Sequence, residues 1–168
     1  MTKFGFYFYA ILVIFLGGCS QNASTQFSTN DNLNSSSAKF EGDVSDPGSI
    51  AFFKNNVGDR VLFAIDQSDI DEAGKNILLD QVDWLLANAD YKIIIEGHAD
   101  ERGTREYNLA LGARRANSAR EFLVSRGIES ARIQTVSFGK ERPVELCSNE
   151  KCYSENRRAV SVVSNLNF

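Results

Sequence analysis

Apolar residues in the last two thirds of the chain fall into two alternating patterns: short unbroken runs, and longer stretches with apolar positions at helical spacing. Arg60-Val61-Leu62-Phe63-Ala64-Ile65 reads as a buried strand ending at Asp66. Ser68, with Asp71 three residues on, resembles a capping box, and Ile77, Leu78, Val82, Leu85, Leu86 and Ala89 then form a helical stripe. Trp84 belongs to that helix as core or rim packing. Tyr91 to Glu96 is a second strand with isoleucines on both faces, as in a covered sheet. After a loop from Gly97 to Gly103, a second helix runs from Glu106 to about Arg126 and is closed by Gly127. Its stripe is Leu109, Ala113, Ala116, Ala119 and Leu123, whose small residues suggest a close approach to the sheet. Ile133 to Phe138 and Arg158 to Val163 are the third and fourth strands. The order strand, helix, strand, helix, strand, loop, strand predicts an α+β fold. Its form is a two-layer sandwich, with a mixed four-stranded sheet carrying helices on one face, over residues 57–168.

The first twenty residues follow another pattern. Lys3 precedes an apolar run from Phe4 to Leu16, then Gly17 and Gly18, which is the outline of a secretory signal peptide over residues 1–18 and too short to span a bilayer comfortably. Leu16-Gly17-Gly18-Cys19 resembles the bacterial lipobox, which implies cleavage before Cys19 and acylation of its thiol and new amino group. Two or more chains hold a protein on a membrane stably, so Cys19 is an anchor and no catalyst. Ser20 follows, and the absence of aspartate there favours the outer membrane by analogy. Residues 19–56 begin as a Ser-, Asn- and Thr-rich segment that buries too little apolar surface to offset its ordering entropy, and read as a flexible tether. Thirty such residues average roughly 30 Å as a coil and reach roughly 100 Å when extended.

Charge adds an asymmetry. The 168 residues carry a net charge of -4, which disfavours nucleic acid as a partner. From Glu41 to Glu101 there are fourteen acids against four bases, whereas from Arg102 to Arg132 there are seven arginines against three glutamates. A cluster made only of arginine points to recognition of carboxylate or phosphate, with a solvated helix face as the alternative.

Chemistry concentrates in the same region. Asn108, Leu111 and Arg115 share one helix face, and Asp100 lies in the loop leading to it. An aspartate and an arginine flanking one groove are complementary to a zwitterion, the carboxylate taking an ammonium and the guanidinium a carboxylate. The alternative is structural: Asp100 caps the helix or pairs with Arg115. The single histidine, His98, has no GxSxG or HExxH motif to work with and reads as a hydrogen-bonded structural residue. Neither a catalytic residue nor a metal site is expected.

FAIDQSDI (63–70), EGHADERGTREYNLALGARRAN (96–117), VSFGKERP (136–143) and ENRRAV (155–160) together resemble the peptidoglycan-associated lipoprotein (Pal) branch of the OmpA-like domains. The resemblance covers about Val57 to Phe168, and the lipobox and tether suit it. It implies non-covalent binding of the peptidoglycan stem peptide at diaminopimelate, whose side chain ends in an ammonium and a carboxylate. It further implies that Asp100 holds the ammonium, that Arg115 holds a carboxylate, and that Asn108 supports the peptide. Asp66 would form the opposite wall, with Arg157 or Arg158 helping to define the anionic pocket. No cofactor is implied beyond the lipid on Cys19. Implied partners are the wall, the outer membrane through the lipid, and the Tol system, TolB above all.

Two features depart from that branch or mark this chain within it. Gln67 stands where many relatives carry lysine. Cys147 and Cys152 occupy a loop that many relatives keep free of cysteine. With Cys19 lipidated, Cys147 and Cys152 are the two thiols that remain in an oxidising compartment, so a local disulfide is the default. The spacing is not that of a zinc site.

Overall fold

The strand expected over Arg60 to Ile65 starts where predicted and stops early, as β1 (Arg60–Leu62). Phe63 still donates its N–H to the Arg157 carbonyl at 2.8 Å, but a turn closes from Ala64 to Gln67 and Asp66 adopts a left-handed conformation, φ 58°. The chain thereby leaves the sheet and delivers Asp66 to a cleft. This computed structural model describes residues 42–165. The signal segment, Cys19 and the tether up to Glu41 lie outside the described residues, as do the last three positions.

Asp71, rather than Ser68, caps α2 (Glu72–Ala87), accepting the Gly74 N–H at 2.7 Å. The sheet continues through β2 (Lys92–His98), β3 (Ile133–Gly139) and β4 (Arg158–Ser164), in the order β1-β4-β2-β3. β2 and β3 are parallel, while β4 runs antiparallel to both β1 and β2. The long helix α3 (Arg105–Ser125) makes the crossover between the parallel pair and packs on both of its strands. The mixed sheet with its main helices on one face is the α+β sandwich expected. Ile93, Ile95, Ala159 and Val163 from the strands meet Leu78, Val82, Leu85, Ala116, Ala119 and Leu123 from the helices in one core.

Further differences from the sequence reading bear on the site, besides β2 running on to His98 where the strand was expected to end at Glu96. The folded unit extends upstream of Val57. Ser49 caps a single helical turn, α1 (Ile50–Phe52), which continues as a π-helical turn through Gly58. Phe53 is buried against Trp84, and Pro47 and Gly48 accept hydrogen bonds from the Trp84 indole and the Tyr91 hydroxyl at 2.7 and 3.0 Å. Ile50, Phe52 and Val57 pack against the same core, so the apolar run from Ile50 to Phe53 recruits this segment to the folded unit. In the long connection before β4, a short helix α4 (Glu150–Asn156) begins at Asn149, whose side chain accepts the Cys152 N–H, and Cys147 and Cys152 are joined by a disulfide. The stripe on α3 is also rotated from the expected one. Leu109 and Ala113 face outward, while Asn108, Leu111, Gly112 and Arg115 join Ala116, Ala119 and Leu123 on the buried face.

That rotation follows from how close α3 lies to β2. Gly97 and Gly112 meet backbone to backbone, and a Cβ on Gly112 would sit 2.7 Å from the Gly97 carbonyl oxygen and 2.5 Å from Ser137 Oγ. Only glycine permits the approach. It places the first two turns of α3 directly over the ends of β2 and β3, where the loop from Ala99 to Thr104 begins.

Candidate ligand-binding pocket

The loop between β2 and α3 is fixed from several sides. Thr104 caps α3 by accepting the Tyr107 N–H at 3.2 Å, so Asp100 is not the helix cap. Asn108 is buried and donates to the Arg102 carbonyl at 2.6 Å, and Lys140 donates to the Gly103 carbonyl at 2.7 Å. Held in this way, Asp100 turns its carboxylate into a cleft of about 370 Å³. Ile65, Asp66, Arg102, Gly103, Tyr107, Asn108, Leu111, Arg115 and Arg157 complete its walls.

Asp100 is fully engaged. Its Oδ2 accepts Arg102 Nη2 at 2.6 Å and Arg157 Nη1 at 3.2 Å, and its Oδ1 accepts the Arg102 backbone N–H at 3.1 Å. Burial alone would raise its pKa, but the hydrogen bonds from Arg102 and Arg157 outweigh burial and hold the carboxyl below its ordinary value. It is therefore ionised at neutral pH. The two arginines differ in exposure: the Arg157 side chain is 6% exposed and that of Arg102 is 43% exposed. Arg157 is further tied to the Phe63 carbonyl at 3.0 Å and to Glu150 at 2.5 Å.

Arg115 is wholly buried, at 0% exposure, and does not pair with Asp100. It donates Nε to the Gln67 carbonyl at 2.8 Å, Nη1 to His98 at 2.9 Å and Nη2 to Ala64 at 3.1 Å. Burial, then the charge of Arg157, lowers its pKa to about 10, which leaves it a cation at neutral pH. Three of its five N–H groups are spent on clamping the β1–α2 turn to the end of β2, so the expected open fork toward a carboxylate is not presented in this state. Arg115 contributes the positive potential of the pocket floor and holds its walls. Asp66 stands on the facing wall, where its Oδ1 accepts the Tyr107 hydroxyl.

Five of the six residues expected at the site therefore converge: Asp66, Asp100, Asn108, Arg115 and Arg157. Arg158 does not. Strand alternation points it away from the helices, into a separate cleft with Arg60, Glu96 and Val160, and it donates to the carbonyls of Arg142 and Asn156. The sequence reading missed Arg102 and Tyr107. Both lie inside the EGHADERGTREYN stretch, and Arg102, two residues past Asp100, was the readable signal.

His98, expected as a hydrogen-bonded structural residue, is buried, but neither ring nitrogen has a hydrogen-bond partner. It stacks on Phe138 at 5.6 Å between centroids, and Glu96 Oε2 comes no closer to Nε2 than 3.5 Å. Burial, aided by Arg158 and Arg142, lowers its pKa from 6.5 to about 4. The unfolded chain thus takes up this proton between pH 6.5 and 4 while the folded one does not, so stability falls as pH falls through that window. The histidine accounts for about 3 kcal/mol between the two ends. Urea unfolding at a series of pH values should show this slope, and a His98→Phe variant should flatten it; an equal slope in both would contradict the assignment.

A family model described as the OmpA family matches residues 62–162. The chain belongs to the OmpA family. Among curated proteins it is 46% identical over 154 residues to a peptidoglycan-associated lipoprotein of Mesorhizobium japonicum, a match covering 92% of this chain and 88% of that one. It is 53% identical over 118 residues to the peptidoglycan-associated lipoprotein of Brucella melitensis, covering 70% of each. Among solved structures, the peptidoglycan-associated lipoprotein of Burkholderia pseudomallei superposes with a TM-score of 0.64 at 36% identity, over 72% of this chain and 98% of that one. The matched residues contain β2, α3 and the whole pocket. Among the described residues no group of three or more His, Cys, Asp or Glu could hold a metal, and no helix is long and apolar enough to cross a membrane.

Proposed function

We propose that this protein binds the stem peptide of peptidoglycan non-covalently, through a residue bearing both an ammonium and a carboxylate, as diaminopimelate does. The observation that carries this reading is the pocket's composition: two carboxylates, Asp66 and Asp100, face three guanidiniums, those of Arg102, Arg115 and Arg157, around one cleft. A ligand ammonium replaces Arg102, the exposed partner, on Asp100, while Arg157 remains. The ligand's carboxylate then lies over the positive floor. The chain's one imidazole, that of His98, is buried and uncharged at neutral pH and does not line the pocket.

Lipid on Cys19 would hold the other end of the chain in the outer membrane, so that the protein ties membrane to wall, with the polar tether setting their separation. The likeness to peptidoglycan-associated lipoproteins supports this arrangement, along with a place in the Tol system, in envelope integrity and in cell division, with TolB competing with the wall for the domain.

Cosedimentation of the protein with purified peptidoglycan tests the reading. Asp100→Asn should weaken wall binding by about 2–4 kcal/mol, roughly 30- to 700-fold, while the circular dichroism spectrum stays native. Added TolB should release the wild-type protein from the pellet. Wild-type protein that stays in the supernatant but binds TolB would point instead to a module whose main ligand is protein.

A further inference from the structure

Helix α4 has only seven residues, too few to persist unaided. It is held at one end by the Cys147–Cys152 disulfide and the Asn149 cap, and at the other by buried Asn156. The Asn156 amide accepts the N–H groups of Val144 and Glu145 and donates to the Glu145 carbonyl at 2.8 Å. From this anchored turn, two side chains reach back to the pocket. Glu150 accepts Arg157 Nη2 at 2.5 Å and places its other oxygen 3.8 Å from Arg102 Nη2, and the Arg102 guanidinium lies over the Tyr153 ring at 4.5 Å. Both arginines on Asp100 are thus braced by the same helical turn, and Cys152 stands between the two bracing residues.

We propose that the Cys147–Cys152 bridge is a positioning element of the ligand pocket, acting through Glu150 and Tyr153 on Arg157 and Arg102. This rests on the reading of the pocket as a stem-peptide site. When a ligand ammonium takes the exposed side of Asp100, Arg102 gives up its hydrogen bonds there and needs somewhere to go. Tyr153 and Glu150 supply a ring face and a carboxylate, already in contact range. With the bridge closed this seat is in place before the ligand arrives, and the cost of displacing Arg102 is small. With the bridge open, the first turn of α4 loses its covalent closure and is held to the domain by the Glu150–Arg157 and Tyr153–Arg102 contacts alone, with its cap bonding only within the turn. The seat loosens, and so does Arg157 behind Asp100. Ligand affinity falls as a result, making wall binding sensitive to dithiol reductants. In that step a dithiol becomes a cyclic disulfide, and its two hydrogens appear on the Cys147 and Cys152 thiols.

The test is calorimetric titration of the full chain, in detergent, with a diaminopimelate-containing stem peptide. It uses oxidised wild type, the same protein reduced with dithiothreitol, and a Cys147→Ser/Cys152→Ser variant, with circular dichroism confirming the fold of each. The expected result is about a tenfold loss of affinity on reduction, matched by the double variant and not deepened by reductant there. Glu150→Gln should weaken binding in the oxidised protein but have little further effect once the bridge is open, since both changes release the same contact. Additive losses would reduce the bridge to a general stabiliser and overturn the proposal, as would an unchanged affinity. A second readout needs no ligand. Proton exchange at the Nε–H groups of Arg102 and Arg157, followed by NMR, should quicken on reduction, while that of Arg115 should not. Wild type that does not bind the peptide would sink the stem-peptide reading, and the exchange rates would still decide the positioning role.

Discussion

Arg115→Ala costs the fold about 3 kcal/mol, read as a lower urea midpoint and melting temperature. The substitution takes a donor from the carbonyls of His98 and Gln67, which Arg115 satisfies from a position with 0% exposure, while the Ala64 carbonyl keeps the Gln67 N–H at 3.2 Å. Each unsatisfied buried acceptor costs about 1–3 kcal/mol. Two such carbonyls give about 2–6 kcal/mol, and the desolvation that lowers the Arg115 pKa is regained when the charge is removed, which keeps the expected total in the lower half of that span. Against a total stability of about 5–15 kcal/mol for a domain, the loss is large. Arg115→Lys should rescue little, because one ammonium cannot reach three carbonyls spread around a planar fork. The binding consequence is practical: loss of wall binding in Arg115→Ala reports collapse of the pocket walls before it reports a lost ligand contact, so Asp100→Asn is the cleaner probe. An unchanged midpoint in Arg115→Ala would refute the clamp role.

Gly97→Ala should be at least as damaging. The new methyl would press into the Gly112 peptide of α3, with its carbonyl carbon 2.5 Å away and Ala116 Cβ at 3.1 Å. A flexible side chain could swing aside; a helix backbone cannot. Moving α3 outward would open the core at Ala116 and Ala119 and shift the loop that carries Asp100, so the expected cost meets or exceeds the ~1–3 kcal/mol of ordinary overpacking. Gly127→Ala is the control. Gly127 has φ +100° but nothing within 4 Å of an added Cβ, so only backbone strain of about 1–2 kcal/mol applies. A Gly97→Ala protein as stable as the Gly127→Ala one would mean that α3 does not need this approach.

These two residues also show where sequence reading succeeds and where it stops. Apolar runs and helical spacing located the strands and the two long helices, because each must bury one face. Asp100 and Asn108 were legible from their nearness in sequence to the arginine-rich helix. What periodicity could not show was that the buried stripe of α3 includes Asn108 and Arg115. A hydropathy pattern counts arginine as surface, and only the carbonyls of a distant turn make its burial affordable. The short apolar run Ile50-Ala51-Phe52-Phe53 is passed over because the polar residues before it set the reading of the whole segment as tether, although it packs against the core. Arg157 and Arg158 were adjacent and indistinguishable in the sequence. The start of β4 separates them, sending one to Asp100 and the other to the opposite side of the sheet. The helix at Glu150 was missed because its stability comes from a disulfide and from Asn156, and not from its own seven residues.

The central claim is that the pocket recognises both charges of a zwitterionic side chain. It is tested most directly by calorimetric titration of the protein with two stem peptides that differ only at the third residue. One carries diaminopimelate; the other carries lysine, which keeps the ammonium but lacks the side-chain carboxylate. We predict binding of the diaminopimelate peptide, at least tenfold weaker binding of the lysine peptide from the loss of one charge-assisted pair worth about 1.5–3 kcal/mol, and loss of both in Asp100→Asn. Equal affinity for the two peptides, or no binding of either, would contradict it.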